Sequence, residues 1–421
     1  MRWLRFFLPS GALVGEPRTV VLLETVLAAS KLTVPFLSLY LVQAHQLSYT
    51  VAGLFIAVSG IGGLIAVVLA GAAADRYGER PVLVALLAGA TVSAAAVPHL
   101  PDTVALLVGF FLIGAFLRAT QPPFSALVVR SAPVRQWTEI YAAEYWGINI
   151  GFAFTALVGG LIASHAFEWL FYLEAAGAAL SLVMVVRLLP ARPPGERPVR
   201  TVRGSRWSRG REALAAISLA ARDRLALALI SSSLLFALCL SQMTATLPLD
   251  MEQLGYSADR YGYVIFGNGL LLTLFQLAAG RLMARHRATR MLVLATAIFT
   301  LGFGLLAFLA GQLLLIVLCV SIWTVGEMLD APVRNVVAGA LARPGSRARY
   351  LGLVSAALTI GYCLGPLIGG WALQTAGREV LWLGTAGCAL LATLIRWGLT
   401  SRVDRRIAGV VRQPDPRPSP G

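Results

Sequence analysis

The chain has 421 residues, 57% of them hydrophobic and only 13% charged, with a mean hydropathy of +0.75 and a net charge of +15. Soluble domains carry about 25% charged residues, whereas each membrane-crossing helix needs about 20 apolar residues in a row. Apolar runs of that length recur from end to end, which excludes an ordinary soluble protein, and the short alternating segments of a β-barrel are absent.

Residues 1–17 (MRWLRFFLPSGALVGEP) hold a short apolar stretch broken by proline and no small-residue cleavage site. They read as a cytoplasmic lead-in and not as a signal peptide. Apolar runs then predict twelve helices, near 18–42, 50–73, 80–98, 103–128, 139–164, 168–189, 225–249, 261–284, 289–310, 312–340, 350–374 and 379–400. Residues 190–224, rich in Pro, Gly and Arg, form the one long connection, expected to be a cytoplasmic linker ending in a short amphipathic helix. It separates an N-terminal six-helix bundle (18–189) from a C-terminal one (225–400), and 401–421 is a cytoplasmic tail.

The basic charge is positional, which argues against nucleic-acid binding. Lys31 is the only lysine, and of the 34 arginines 30 fall at the termini, in the linker and in alternate short loops. Only Arg260 and Arg378 lie in the opposite loops, and Arg118 and Arg334 lie inside predicted helices. The positive-inside rule then places both termini in the cytoplasm, which requires an even number of spans. The halves also repeat. Gly71 matches Gly280 at an offset of 209, and Pro122–Pro332, Gly151–Gly361, Gly159–Gly369 and Gly160–Gly370 match at 210. Six helices per repeat gives parallel topology, one of the known transporter designs, with substrate handled between the halves.

The loop after predicted helix 2, GAAADRYGERPVL, resembles the signature loop of the major facilitator superfamily. Gly71 would allow close helix approach and Gly78 a tight turn. Asp75 would meet a helix N-terminus or an arginine and so latch one conformation, and Arg80 would anchor at the surface. The equivalent loop of the second half keeps Gly280 but has Ala284 in place of the aspartate. The resemblance spans the chain and implies an all-α polytopic fold of two pseudo-symmetric six-helix halves. Within that superfamily the chain is similar to the twelve-helix drug:proton antiporters, on the stretches RATQPPFSALVVR, EYWGINIG and WTVGEMLDAPVRNVV. This likeness implies proton-coupled efflux of lipophilic small molecules. It places Arg118, Glu144 and Glu327 at positions that such proteins use in coupling, whereas Thr244 stands where some relatives carry an acid. It further implies a bacterial cell membrane, a monomer and a link to antibiotic resistance.

An ionisable group inside a membrane helix is costly and defaults to a functional candidate. Glu24 and Lys31 in helix 1, Arg118 in helix 4, and Glu327, Asp330 and Arg334 in helix 10 make up this set, on helices that line the central cavity of the resembled fold. Glu24 and Lys31 stand about 10 Å apart along the helix axis, too far for easy direct pairing. Arg118 is a plausible neighbour of Glu24, in a relay or a structural ion pair. Glu327 and Asp330 share a helical face, yet Asp330 and Arg334 are spaced to pair (i, i+4), which leaves Glu327 as the favoured proton carrier and Asp330 secondary. Trp323, one turn before Glu327, could wall a drug site or simply pack. Glu144 could pair with an arginine of the Asp75 loop. Lys31, Glu24, Trp323 and Glu327 are the candidate substrate-binding residues, and Lys31 opens the alternative of an anionic or zwitterionic metabolite.

No nucleotide-binding pattern, hydrolase motif or metal-ligand spacing is present, and the four cysteines all sit in apolar runs. No cofactor is expected beyond a proton gradient, no metal, and no partner other than substrate, protons and the lipid bilayer. Lastly, GYCLGPLIGG in helix 11 places Gly361, Gly365 and Gly369 every four residues, with Pro366 to bend the helix and Gly370 closing the run. It matches the superfamily's antiporter motif, of which helix 5 keeps Gly151, Gly159 and Gly160 but has Thr155 and Ala156 in the centre. This surface is expected to tie helix 11 to helix 5.

Overall fold

The computed structural model describes residues 15–189, 223–309, 311–342 and 347–411, and every regular element among them is helical. The N-terminal segment up to residue 14, the linker 190–222 and the tail from 412, for which the sequence gives expectations, lie outside the described residues. Ten segments are long and apolar enough to cross a membrane by themselves. The last of these, Tyr350–Arg405, is two helices folded at Gly377, whose φ of 81° no other residue adopts without strain. The 27-residue helix Ala258–Ala284 completes a set of twelve.

In chain order these are α1 (Glu16–Ala44), α2 (Tyr49–Tyr77), α3 (Glu79–His99), α4 (Thr103–Ser131), α5 (Val134–Ala163) and α6 (Glu168–Leu188) in the first half. The second half holds α7 (224–253), α8 (Ala258–Ala284), α9 (Ala288–Phe308), α10 (Leu313–Leu341), α11 (347–376) and α12 (378–411). Three of them are discontinuous. The α-helix of α1 stops at Ser30 and resumes as tighter and wider turns from Val34; α4 breaks at residues 119–120 ahead of Pro122 and Pro123; α7 breaks at Thr246 ahead of Pro248. Where proline removes an N–H and a turn unwinds, neighbours must satisfy the freed groups. The Thr155 hydroxyl of α5 reaches the carbonyls of Ala28 (3.1 Å) and Ala29 (3.0 Å), and the Gln242 amide of α7 donates to Gly365 O (2.9 Å) next to Pro366.

Small residues set the packing, because membrane helices gain van der Waals contact only by close approach. A β-carbon on Gly151 would meet Ala28 and Ala29 of α1, and one on Gly159 would meet Phe36 of α1. In the second half Gly361, Gly365 and Gly369 stand in the same relation to Leu234, Ser241 and Gln242 of α7. The glycine face of α11 therefore binds α7 and not α5, which corrects the sequence-based pairing; the repeat applies to the helix pair, α1–α5 mirrored by α7–α11.

The halves meet along two seams that the repeat also relates, α5–α8 and α2–α11. In the first, Gly160 faces Gly262 and Ala153 faces Gly269; in the second, Gly53 lies on Pro366, Gly60 on Cys363 and Gly370 on Tyr49. Thr50 adds hydrogen bonds to the Gln374 side chain at 3.0 and 2.6 Å. These contacts lie toward the face opposite the described chain ends. There a buried apolar cluster of Leu32, Phe36 and Leu39 from α1, with Tyr261, Leu247 and Leu373 from the second half, closes the space between the bundles. Toward the other face no seam of this kind joins α4 to α10 among the described residues.

Candidate functional site

The polar residues in the middle of the bundle separate into two kinds: those neutralised by direct partners and those facing the space between the halves. Asp330 belongs to the first kind. It is fully buried and holds two arginines, Arg396 of α12 at 2.7 Å and Arg334 at 3.2 Å, and both guanidiniums lie over the ring of Phe236 at 5.6 and 5.7 Å. A carboxylate held by two buried cations ties α10 to α12. Glu327, although only three residues away, points elsewhere. Its Oε2 accepts one hydrogen bond, from Asn268 of α8 at 3.3 Å, and Asn268 is itself held by Thr324 at 2.7 Å. Glu327 lies within electrostatic range of Tyr145 of α5, in the opposite half, and of Tyr362 of α11.

In the first half, Glu24 and Lys31 are half-buried and neither forms a hydrogen bond or ion pair through its side chain among the described residues. Lys31 sits at the break in α1 and not in a continuous helix. It lies within electrostatic range of Arg118, Glu174 and Glu24. The stem of Arg118 crosses Gly63 of α2, and its side chain is exposed without an acid within ion-pair distance among the described residues, so the Glu24–Arg118 pair is not formed. Glu144 is buried ten residues into α5, with Oε1 lacking a hydrogen-bond partner, and its charged neighbour is Glu24. It does not reach the Asp75 loop.

Trp323 is fully buried and stacks on Phe303 of α9, with ring centroids 4.5 Å apart, so it packs within the second half of the bundle. In the signature loop Gly78 takes φ 92°, which a glycine adopts freely. Asp75 is exposed and has no partner among the described residues. Arg80 donates to the Val186 carbonyl at 2.7 Å, fastening α3 to α6. A β-carbon on Gly71 would have an ordinary contact with Pro122 at 3.8 Å, so no close approach uses that glycine here.

Three buried charges escaped the sequence reading. Glu174 of α6 is 1% exposed and holds Thr33 at the break in α1, accepting from its N–H at 2.9 Å and its hydroxyl at 2.5 Å. Arg396 stood among the surface arginines by its place near a predicted helix end. Asp250, at the end of α7, takes Arg378 at 2.9 Å and the Trp382 indole at 2.8 Å, while Arg378 also caps the α9 carbonyls of Leu306 and Ala307. Arg378 is thus a tie between three helices and not a loop residue.

The sequence profile of the Major Facilitator Superfamily matches residues 25–257 and 244–418. The chain belongs to that superfamily. Among its members, an uncharacterized MFS-type transporter YqjV of Bacillus subtilis is 23% identical over 364 residues, covering 84% of this chain and 85% of the relative. The multidrug resistance protein MdtH of Aeromonas hydrophila is 24% identical over 335 residues, covering 78% and 81%. In the solved structures, the nucleoside transporter NupG superposes with a TM-score of 0.74 at 17% identity, covering 92% of this chain and 99% of the other. The chain is therefore a multi-pass membrane transporter of the major facilitator fold.

Proposed function

We propose that this superfamily member is a proton-coupled exporter of lipophilic small molecules in a bacterial cell membrane, with both termini cytoplasmic and the open face toward the cytoplasm. The observation that carries the reading is the contrast between the two helix-10 acids. Asp330 is neutralised by two arginines, while Glu327 has a single side-chain donor and no cation within ion-pair distance among the described residues. A lightly held acid at that position can take a proton in one orientation of the halves and release it in the other. Glu24 and Glu144, paired with no base, supply further acids on the first half. Protonation of Glu327 from outside would weaken the hold on a cationic substrate and favour return to the inward-open state. The relationship to MdtH proteins adds weight to drug efflux. Neither cofactor nor nucleotide is required, and the chain works as a monomer. Efflux of a lipophilic cationic dye, measured with and without a protonophore in wild type and Glu327→Gln, tests the reading. Gradient-driven efflux that is unchanged in the variant removes Glu327 from the mechanism.

A second reading, transport of an anionic or zwitterionic metabolite, is favoured by Lys31 and Arg118, two mid-membrane cations without ion pairs. Binding of cationic against anionic dyes to wild type and Lys31→Ala separates the two readings.

A further inference from the structure

The break in α1 is held from outside. Its helix ends with Lys31 N–H bonded to Ala28 O and Leu32 N–H to Ser30 O at 2.8 Å, which leaves the Thr33 N–H without a helical acceptor. Oε2 of Glu174 supplies that acceptor and takes the Thr33 hydroxyl as well. Gly177, one turn further along α6, seats Ser30 where a side chain would clash, so α6 is pressed against the break. The other oxygen of Glu174, Oε1, is buried and has no donor. A carboxylate oxygen without a donor is costly in a membrane interior, and natural structures bring a donor within reach. Lys31 is two residues from Thr33 on the segment that Glu174 holds, and its ammonium is without a hydrogen-bond or ion-pair partner among the described residues. Of the two acids in its electrostatic range, Glu24 is half-buried and two turns back, while Glu174 is sealed from water at the break itself.

We propose that Glu174 is the counter-charge of Lys31 and, through Thr33, the positioning residue that fixes where Lys31 stands in the transport path. This rests on the transporter reading above and sharpens its substrate class. With Glu174 as its counter-charge, Lys31 is not an anchor for an anion, and its charge is offset toward lipophilic cations. In the conformation described the two charges stand within electrostatic range and not in direct contact.

Glu174→Gln keeps an acceptor for both Thr33 donors and removes the charge; Lys31→Met removes the cation and keeps the stem. The purified full-length protein, each single variant and the double variant are compared by thermal unfolding in detergent. They are then compared in proteoliposomes for transport of ethidium and of carboxyfluorescein. Each single variant is expected to unfold at a lower temperature and the double to recover. Glu174→Gln should shift the ethidium-to-carboxyfluorescein ratio about tenfold toward the anion, on the scale of one uncompensated charge in a partly screened site, and the double should restore it. A single variant that fails to fold while the double folds is the same result in stronger form. Additive losses in the double, or a ratio that Glu174→Gln leaves unchanged, overturn the proposal. Wild type that moves neither dye overturns the drug reading alone, and the thermal comparison then decides the pairing.

Discussion

The α5–α8 seam allows the closed state to be opened by one substitution. At Gly262 a β-carbon would stand 2.6 Å from the Ala156 carbonyl oxygen and 2.9 Å from the Gly160 Cα, all of it backbone that cannot rotate away. Ordinary contact begins at 3.4 Å, so a methyl group alone must part the helices by 3.4 − 2.6 = 0.8 Å, and Gly262→Leu by more. Overpacking of a close interface costs about 1–3 kcal/mol. Because the seam exists only while this face is closed, that cost shifts the equilibrium toward opening by about 5- to 150-fold. Leu32, 4% exposed inside the seal, becomes the reporter as Leu32→Cys once Cys239, Cys319, Cys363 and Cys388 are replaced. Its modification by a membrane-impermeant maleimide, added to the face opposite the chain ends, should accelerate in Gly262→Leu by that factor. Gly267→Leu, on the same helix with no atom within 4 Å of the added carbon, should leave the rate unchanged. An unaltered rate in a folded Gly262→Leu protein would refute the view that this seam is the closed gate.

Two further substitutions test structural ties. Asp330→Asn leaves Arg334 and Arg396 buried without their carboxylate and should lower unfolding stability by about 3–5 kcal/mol, read from denaturant titration in detergent, with much of the loss recovered when Arg396→Met is added. Gly377→Ala meets no neighbouring atom but must hold φ 81°, ψ 177°, and should cost about 1–3 kcal/mol from backbone strain alone. Gly384→Ala, in the adjoining helix with equal space, should be neutral or stabilising in the same thermal assay.

The course of the chain through the membrane was legible because two independent signals agree: apolar runs of spanning length and arginines confined to alternate loops. The repeat was legible for a similar reason, since the glycines that recur at 210 residues do the same work in each half. The partner of a glycine face was not legible. Gly361, Gly365 and Gly369 announce that a helix comes close, but the choice of α7 over α5 depends on three-dimensional arrangement. In the candidate site, Glu327 and Asp330 look equivalent in sequence, and only the position of Arg396, 66 residues away, separates them. Arg396 was missed because it stands near the end of its predicted span, where a charge reads as interfacial. Glu174 carries one visible signal, an acid in an otherwise apolar YLEAAGAAL run. The breaks in α1 and α7 were signalled by Pro35 and Pro248, which a hydropathy reading passes over.

The two seams meet backbone to backbone, through Gly160 and Gly262 on one side and Gly53 and the Pro366 carbonyl on the other. Long side chains forfeit up to about 2 kcal/mol each in rotamer freedom when an interface immobilises them, and glycine forfeits none. Such a joint can therefore close without first waiting for side chains to settle. The side-chain ordering that closure does require falls on the few longer residues beside the glycines, such as Gln374 where it meets Thr50.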